Sequence, residues 1–561
     1  MTINDIKYER PDVGGLIKTI ETAREEFLRA GSAKEQFDIF TGLFDEIEFA
    51  TTMLSLAFIR FTLNTKDEFY VKEKEYIDGA APSIDKATVD FLNALPSSRH
   101  LTELKKLIPP VLFKNIEIKA RTISDKVLED LAKENAVVSE YVKLMAGITV
   151  DFRGVKLPPT LLQKYFTDAD RETRKEAYFA YGRELEKYVP ELDRIYGELV
   201  GLRTDIAKKL GYKNYVGLGY DRQARNCYDE NMVAAFRENV YTGLLPVISG
   251  IYGAAAKKIG VGQRYLYDHD IFSEKSAAPF GTPEEILQSG REMYEALAPE
   301  AAKLINDMTA FGSFDVLSRE GKWGGGYCSS LEYYKMPFIL ANFNGSFHDV
   351  SVLTHEVGHA LHYAEAVKHV AIKALISPTF DACEIASMAM EFFTHKYMDK
   401  FFGADAEKYR FEHYARNLAF IPYGINVDAF QHFTYHNPGA TPDERNAEWL
   451  RLEKKFRPHM SLEGIPFFET GRGWQIKQHI FELPFYYIDY CLAQTIALQF
   501  AALADKDFKD AFSRYLKLLR AGGTLTFTEL VEGAGLVSPF AKGALGAIAK
   551  QLSKLQMTND K

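Results

Sequence analysis

Thr354-His355-Glu356-Val357-Gly358-His359-Ala360-Leu361-His362 is the stretch around which the rest of the chain is read. His355 and His359 stand four residues apart. On an α-helix that spacing puts both imidazoles on one face, close enough to grip a single metal ion. Glu356 projects beside them and could take a proton from water bound to that ion. Gly358 lies inside the same predicted helix. Glycine there costs about 1 kcal/mol relative to alanine, so it marks a position where another backbone comes close.

Two histidines hold a catalytic metal incompletely. A third protein ligand is needed, with one position left open for water. Glu384 lies 25 residues beyond His359, early in a second helical pattern that follows Pro378. The intervening Val367 to Ser377 is long enough to finish the first helix and turn back, so the two helices can pack antiparallel with Glu384 facing the histidines. A core-facing glutamate is expensive to bury alone, and a metal partner offsets that cost. His348 and His362 are rival ligands, but His362 sits on a less favourable arc to share an ion with His355. Asp381, Ser387 and Glu391 lie one or two helical turns from Glu384 and are candidates to orient the ligands. Cys383 reads as a buried apolar residue.

The chain has 561 residues, 47% hydrophobic and 26% charged, the composition of a folded globular protein. A net charge of −9 and the lack of a sustained Lys/Arg run argue against nucleic acid as a partner. Cys227, Cys328, Cys383 and Cys491 are scattered without a CxxC pair, which fits free thiols in a reducing compartment. The first residues, MTINDIKYERPDVGG, contain no apolar signal core, and no apolar run approaches the length of a membrane span. The expected address is the cytoplasm.

Helical periodicity covers Leu16 to Leu28, Ala33 to Leu63, Ser83 to Leu95, Ser124 to Leu144 and Arg171 to Leu210. Ile148 to Leu157 alternates apolar residues with Asp151, Arg153 and Lys156 and ends at Pro158-Pro159, which predicts a strand. That segment places a boundary near residue 167, with an N-terminal helical region at 1–167 and a catalytic region at 168–561. Gly260 to Pro283 reads as loop. Tyr327 to Phe347 reads as extended chain with turns immediately before the metal-binding helix. The predicted class is mainly α with a small β element beside that helix.

Far downstream lies His479-Ile-Phe-Glu-Leu-Pro484-Phe-Tyr486-Tyr487-Ile-Asp489-Tyr490. Pro484 suits the first turn of a helix, on which Tyr490 shares a face with Tyr487 and with Tyr486. Phenol hydroxyls there could donate to an oxyanion or a substrate carbonyl. Tyrosine clusters also serve as ordinary core packing.

With these residues in view, the sequence resembles the M3 family of zinc metallopeptidases, most closely its oligoendopeptidase F and Pz-peptidase branch, relatives of thimet oligopeptidase. The resemblance is carried by the HEVGH core, the glutamate 25 residues on, Ala341-Asn342-Phe343-Asn344-Gly345, and the Pro-Phe-Tyr-Tyr-Ile-Asp-Tyr run. It extends from about Asp168 to the C-terminus. It implies an ellipsoidal helical fold with a deep channel, and one Zn2+ held by His355, His359 and Glu384. It also implies Glu356 as general base, and a substrate backbone laid along the segment before the helix. The family's downstream histidine and tyrosines map to His479, Tyr487 and Tyr490. The spacing here is one residue shorter and HIFELPF replaces a glycine-rich loop, so the donor stays open between Tyr486 and its neighbours. The expected activity is endopeptidase cleavage of short oligopeptides. The alternatives are a helical zinc carboxypeptidase and a non-catalytic peptide-binding protein with a structural metal.

Overall fold

Capping and periodicity settle most of the architecture locally. Asp12 accepts the backbone N–H of Gly15 to start the helix Val13–Arg29, and Ser32 accepts that of Glu35 to start Ala33–Leu63. The computed structural model describes residues 1–319, 321–546, 548 and 549. Helices dominate it, and five short strands are found among the described residues: β1 (Val150–Phe152), β2 (Val155–Leu157), β3 (Phe314–Leu317), β4 (Tyr327–Leu331) and β5 (Met336–Phe343).

The chain divides into two compact units, each assembled from separated segments. One comprises 1–120, 278–407 and 496–537; the other comprises 121–277, 408–495 and 538–561. This spatial division is drawn differently from the linear boundary at residue 167.

In the first unit, the N-terminal helices build two cores that support the metal-binding segment. Leu16, Ile20, Phe27, Phe40, Leu43 and Phe91 pack with Ala366, Val370 and Leu375 near the end of that segment. Ile3, Ile6, Met53, Leu56 and Ile59 pack with Leu331, Phe338 and Leu340 of the sheet. In that sheet β5 is central, paired antiparallel with β4 (Cys328 opposite Ile339) and parallel with β3 (Phe314 opposite Ile339). β4 is therefore an edge strand. The chain leaves β5 through a turn whose Asn344 and Gly345 N–H groups both donate to the buried Asp349 carboxylate, and then enters the helix Phe347–His369.

The small β element beside that helix is as predicted, while several local readings change. Ile148 to Leu157 is not one strand but the β1–β2 hairpin. It turns at Arg153 and Gly154, both with positive φ, 54° and 80°. The Arg171–Leu210 pattern is interrupted by a tight turn at Glu186–Tyr188, where Pro190 opens the next helix without an N–H to continue the first. The Ser83–Leu95 pattern falls on the end of a longer helix, Glu68–Leu92, which stops three residues earlier than expected. The helix after Pro378 spans Phe380–Phe393.

Helix Phe347–His369 packs on helix Phe380–Phe393 in the antiparallel sense expected: His355 meets Glu391, while His359 meets Glu384. Gly358 makes this possible. A Cβ on it would lie 2.7 Å from both the Ala386 carbonyl oxygen and the Ser387 Cα, and the same Ala386 carbonyl already accepts the Tyr515 hydroxyl at 2.7 Å. The connection between the helices is pinned from outside, where Gly523 N–H donates to the Leu375 carbonyl at 2.8 Å. Gly358→Ala gains about 1 kcal/mol of helix propensity but overpacks this contact at a cost of about 1–3 kcal/mol. Chemical denaturation of Gly358→Ala is expected to show a lower midpoint than wild type; an equal or higher one would refute the close-contact reading.

Candidate metal centre

His355 and His359 emerge from the same face of their helix, with ring centroids 5.0 Å apart. Glu384 Oε2 lies 3.4 Å from His355 Nε2 and 3.7 Å from His359 Nε2. Among the described residues, this is the one group of three or more His, Cys, Asp or Glu whose ligand atoms converge, all within 4.8 Å of one another. A tetrahedral zinc site with bonds of about 2.0–2.2 Å needs donor atoms about 3.4 Å apart, so the donor set fits one ion with a position to spare.

The surroundings orient two of the donors. Glu391 Oε1 lies 2.9 Å from His355 Nδ1 and leaves Nε2 free to face Glu384. The Ser387 hydroxyl donates to Glu384 Oε2 at 2.9 Å, which holds the carboxylate in place. Asp381 instead serves its own helix start, accepting from the Thr379 hydroxyl and the Ala382 N–H. Thus Glu391 and Ser387 both touch the ligands.

The electrostatics call for a cation. Burial opposes a charge on His355, yet Glu384 and Glu391 together hold its pKa well above the ordinary imidazole value. Burial works to raise Glu384, but the facing histidines and Ser387 bring it down to about 2. For His359 burial prevails and lowers the pKa to about 4, which favours the neutral form a metal ligand requires. Two carboxylates, the buried Glu384 and the half-buried Glu391, thus converge where a positive charge would relieve them.

Glu356 is buried beside these groups. Burial chiefly pushes its pKa up to about 7, with Glu384 and Glu391 acting in the same direction and His355 and the backbone of Cys328 opposing them. A carboxyl poised near neutrality suits a proton carrier. Its neighbour Cys328 sits on the edge strand β4, a contact that no spacing in the sequence signals.

The rival ligands stay out of the cluster. His362 is buried, burial lowers its pKa to about 3, and its Nε2 makes no hydrogen bond among the described residues. The His348 ring is tilted against that of Phe347, with centroids 4.0 Å apart. Cys383 is half-buried, and burial pushes its thiol up to about 12.

His479, Tyr486, Tyr487 and Tyr490 belong to the second unit and form one aromatic cluster there. His479 lies 5.0–6.0 Å from the three tyrosine rings, and Tyr486 is 4.9 Å from Tyr490. Pro484 does not open the helix as expected. Phe485 follows it with φ 69°, and the helix begins at Tyr487. That uncommon backbone is held from three sides. Gln431 accepts the Phe485 N–H at 2.9 Å, Gln223 donates to the Pro484 carbonyl at 3.2 Å, and the buried Arg225 donates to the Phe485 carbonyl and to Asp489. Tyr487 is buried, with Lys477 donating to its hydroxyl at 3.3 Å, whereas Tyr486 and Tyr490 retain exposed surface.

A helical fold presenting an H-E-x-x-H helix and a facing glutamate defines a metallopeptidase. Comparison with known proteins agrees. The model of peptidase family M3 matches residues 165–550, and that of the peptidase M3 N-terminal domain matches residues 3–123. An oligoendopeptidase F homolog from Borreliella burgdorferi is 23% identical over 462 residues, 79% of this chain and 75% of that protein. The solved structure of Pz peptidase A with an inhibitor is 38% identical and covers 99% of both chains with a TM-score of 0.92. A structure from Bacillus anthracis described as an oligoendopeptidase F is 37% identical, covers 100% of this chain and 98% of its own, and has a TM-score of 0.87. The chain belongs to peptidase family M3. It is a metallo-oligopeptidase, with peptides as its substrates.

Removing the partner of His355 should loosen the metal without dismantling the fold. Glu391→Ala is expected to weaken metal affinity about 10–100-fold in chelator competition, with Glu391→Gln falling between it and wild type. Unchanged affinity in both variants would show that Glu391 does not orient the ligand.

Proposed function

We propose that this protein is a zinc endopeptidase that hydrolyses internal peptide bonds of short oligopeptides, with one Zn2+ held by His355, His359 and Glu384. The observation that carries the reading is the convergence of those three donors beside the buried Glu356 carboxyl. Bound there, zinc would supply Lewis acidity, polarising a carbonyl and acidifying a water. Glu356 takes the proton from the attacking water and later delivers it to the leaving amine nitrogen. Glu391 keeps the His355 ring in the ligating tautomer, and Ser387 fixes the carboxylate of Glu384. The family resemblance assigns the oxyanion donor to Tyr486, Tyr487 or Tyr490, with His479 in support. Tyr486 and Tyr490 are the better candidates, because Tyr487 is buried and already receives the Lys477 ammonium. The edge strand β4, which carries Cys328 next to Glu356, receives the substrate backbone as an added strand.

We assign the cytoplasm as the working compartment. None of the four cysteines is in a disulfide, and no helix among the described residues is long and apolar enough to cross a membrane.

An internally quenched peptide blocked at both ends tests this reading. Wild type is expected to cut it, which a carboxypeptidase or a binding protein cannot do. Glu356→Gln should retain one zinc per chain while losing at least 1,000-fold in kcat, an estimate from the usual worth of a positioned acid–base group in concert with the metal. Wild-type-like turnover in Glu356→Gln would rule the mechanism out.

A further inference from the structure

Strand β4 has two faces, and the metal centre adjoins one of them. Cys328 and Ser330 turn toward the metal-binding helix, the first beside Glu356 and the second beside Tyr363. Tyr327 and Leu331 turn the other way, toward Met53, Leu56 and Ile59 of the helix Ala33–Leu63. All of these residues belong to the first unit. Gly326, just before the strand, is also close to the centre: a Cβ on it would lie 3.9 Å from Glu356 Oε1.

On the Tyr327 face three rings form a row. Tyr327 lies 5.4 Å by ring centroid from Phe58 and 6.0 Å from Trp323. The middle ring is anchored by a 2.6 Å hydrogen bond between its hydroxyl and that of Thr62. Phe58 is 36% exposed and Trp323 43%, whereas the other two tryptophans, Trp449 and Trp474, are buried at 1% and 0%.

Trp323 is held in place as a platform. Its backbone N–H donates to the Thr62 carbonyl at 2.9 Å, and its carbonyl accepts the Asn342 side chain at 2.9 Å. The same Asn342 amide donates to the Gly325 carbonyl at 2.8 Å. The indole covers Gly325 so closely that a Cβ there would fall 2.0 Å from the ring. Charged groups near the row are tied to one another, since Asp315 receives both Arg319 and Lys322 at 2.7 Å. An indole ordered in this way yet left exposed forgoes the burial of a large apolar surface, which a partner side chain would restore.

A peptide added along the edge of β4 supplies that partner. Successive side chains of a strand point to opposite faces, so every second residue of the peptide points to the Tyr327 side. Cross-strand neighbours bring their Cβ atoms about 4.5–5.5 Å apart, and diagonal neighbours stay within reach of aromatic side chains. A substrate residue on that side therefore meets the row. One opposite Tyr327 is a single strand step, about 3.3 Å, from one opposite Cys328 at Glu356.

We propose that Phe58, Tyr327 and Trp323 form a subsite for a large apolar side chain of the peptide substrate, aromatic above all, close to the bond that is cut. The proposal rests on the placement of substrate along β4 assigned above and adds the specificity that this contact confers. It gives the N-terminal helix Ala33–Leu63 a direct part in substrate choice.

Blocked, internally quenched peptides carrying Phe or Ala at each position in turn test it. At one position wild type is expected to prefer Phe over Ala about tenfold in kcat/KM, the worth of one good aromatic contact. Trp323→Ala and Phe58→Ala should each cut that ratio by about threefold or more and leave the ratios at other positions alone, and Trp323→Phe should restore most of it. Zinc content and the melting transition check that each variant is intact. Binding is read without turnover, because Trp323 is the one exposed tryptophan. In zinc-loaded Glu356→Gln, the Phe peptide without its fluorophore and quencher should shield it from acrylamide quenching, and the Ala peptide should do so much less. If no blocked peptide is cut, the endopeptidase reading fails while the shielding still decides the subsite. If peptides are cut but the ratio survives in both alanine variants, or both peptides shield alike, the subsite proposal alone is overturned. A preference for Arg over Phe at that position would overturn it too, because the rings would then select stacked cations.

Discussion

Everything at the centre of this molecule depends on how closely two helices approach at Gly358. Only a residue without a side chain lets the Ala386–Ser387 backbone come within contact distance, and that approach brings Glu384 Oε2 to within 3.4 Å of His355 and 3.7 Å of His359. The remainder of the first unit acts as its frame. Tyr515 fixes the Ala386 carbonyl, Gly523 pins the connecting turn, Asp349 sets the entry of the first helix, and the N-terminal helices pack on the far end of the pair and on the sheet. The N-terminal region is thus part of the structure that carries the metal site.

The second determinant is the excess of acid at this site. Glu356, Glu384 and Glu391 surround two imidazoles, and their ionisation is unequal. Glu384 is held ionised by the facing histidines, whereas Glu356 is pushed toward neutrality by burial. Separation of that kind distinguishes a ligand from a proton carrier among chemically identical side chains. The second unit handles its charges otherwise, tying them off in pairs such as Arg225–Asp489 and Arg457–Glu453, and leaving an aromatic interior beside the tyrosine cluster.

The sequence was informative where function and periodicity coincide. Two histidines one turn apart, a glycine where a helix would not choose one, and a glutamate at the reach of a helical return made the metal centre legible. The aromatic run before it gave β4 and β5. Other features depend on contacts that no local pattern encodes. The β1–β2 hairpin turns on Arg153-Gly154, a pair easily read as part of one alternating strand. β3 is a short parallel strand whose partner lies 25 residues on at Ile339. The contact of the Cys328 backbone with Glu356 needs the whole sheet in place, and the positive φ of Phe485 is imposed by Arg225 and Gln431, which lie far off in sequence. The two compact units interleave the chain, so a single linear boundary at 167 describes order along the sequence and not proximity in space.

The central claim is that His355, His359 and Glu384 hold one catalytic zinc ion. Crystallography of the purified protein with data collected on both sides of the zinc absorption edge tests it most directly. The account predicts a single anomalous peak per chain, bonded to both imidazole Nε2 atoms and to the Glu384 carboxylate, and absent from crystals of Glu384→Ala. A peak coordinated by other residues, or one that persists undiminished in that variant, would contradict it.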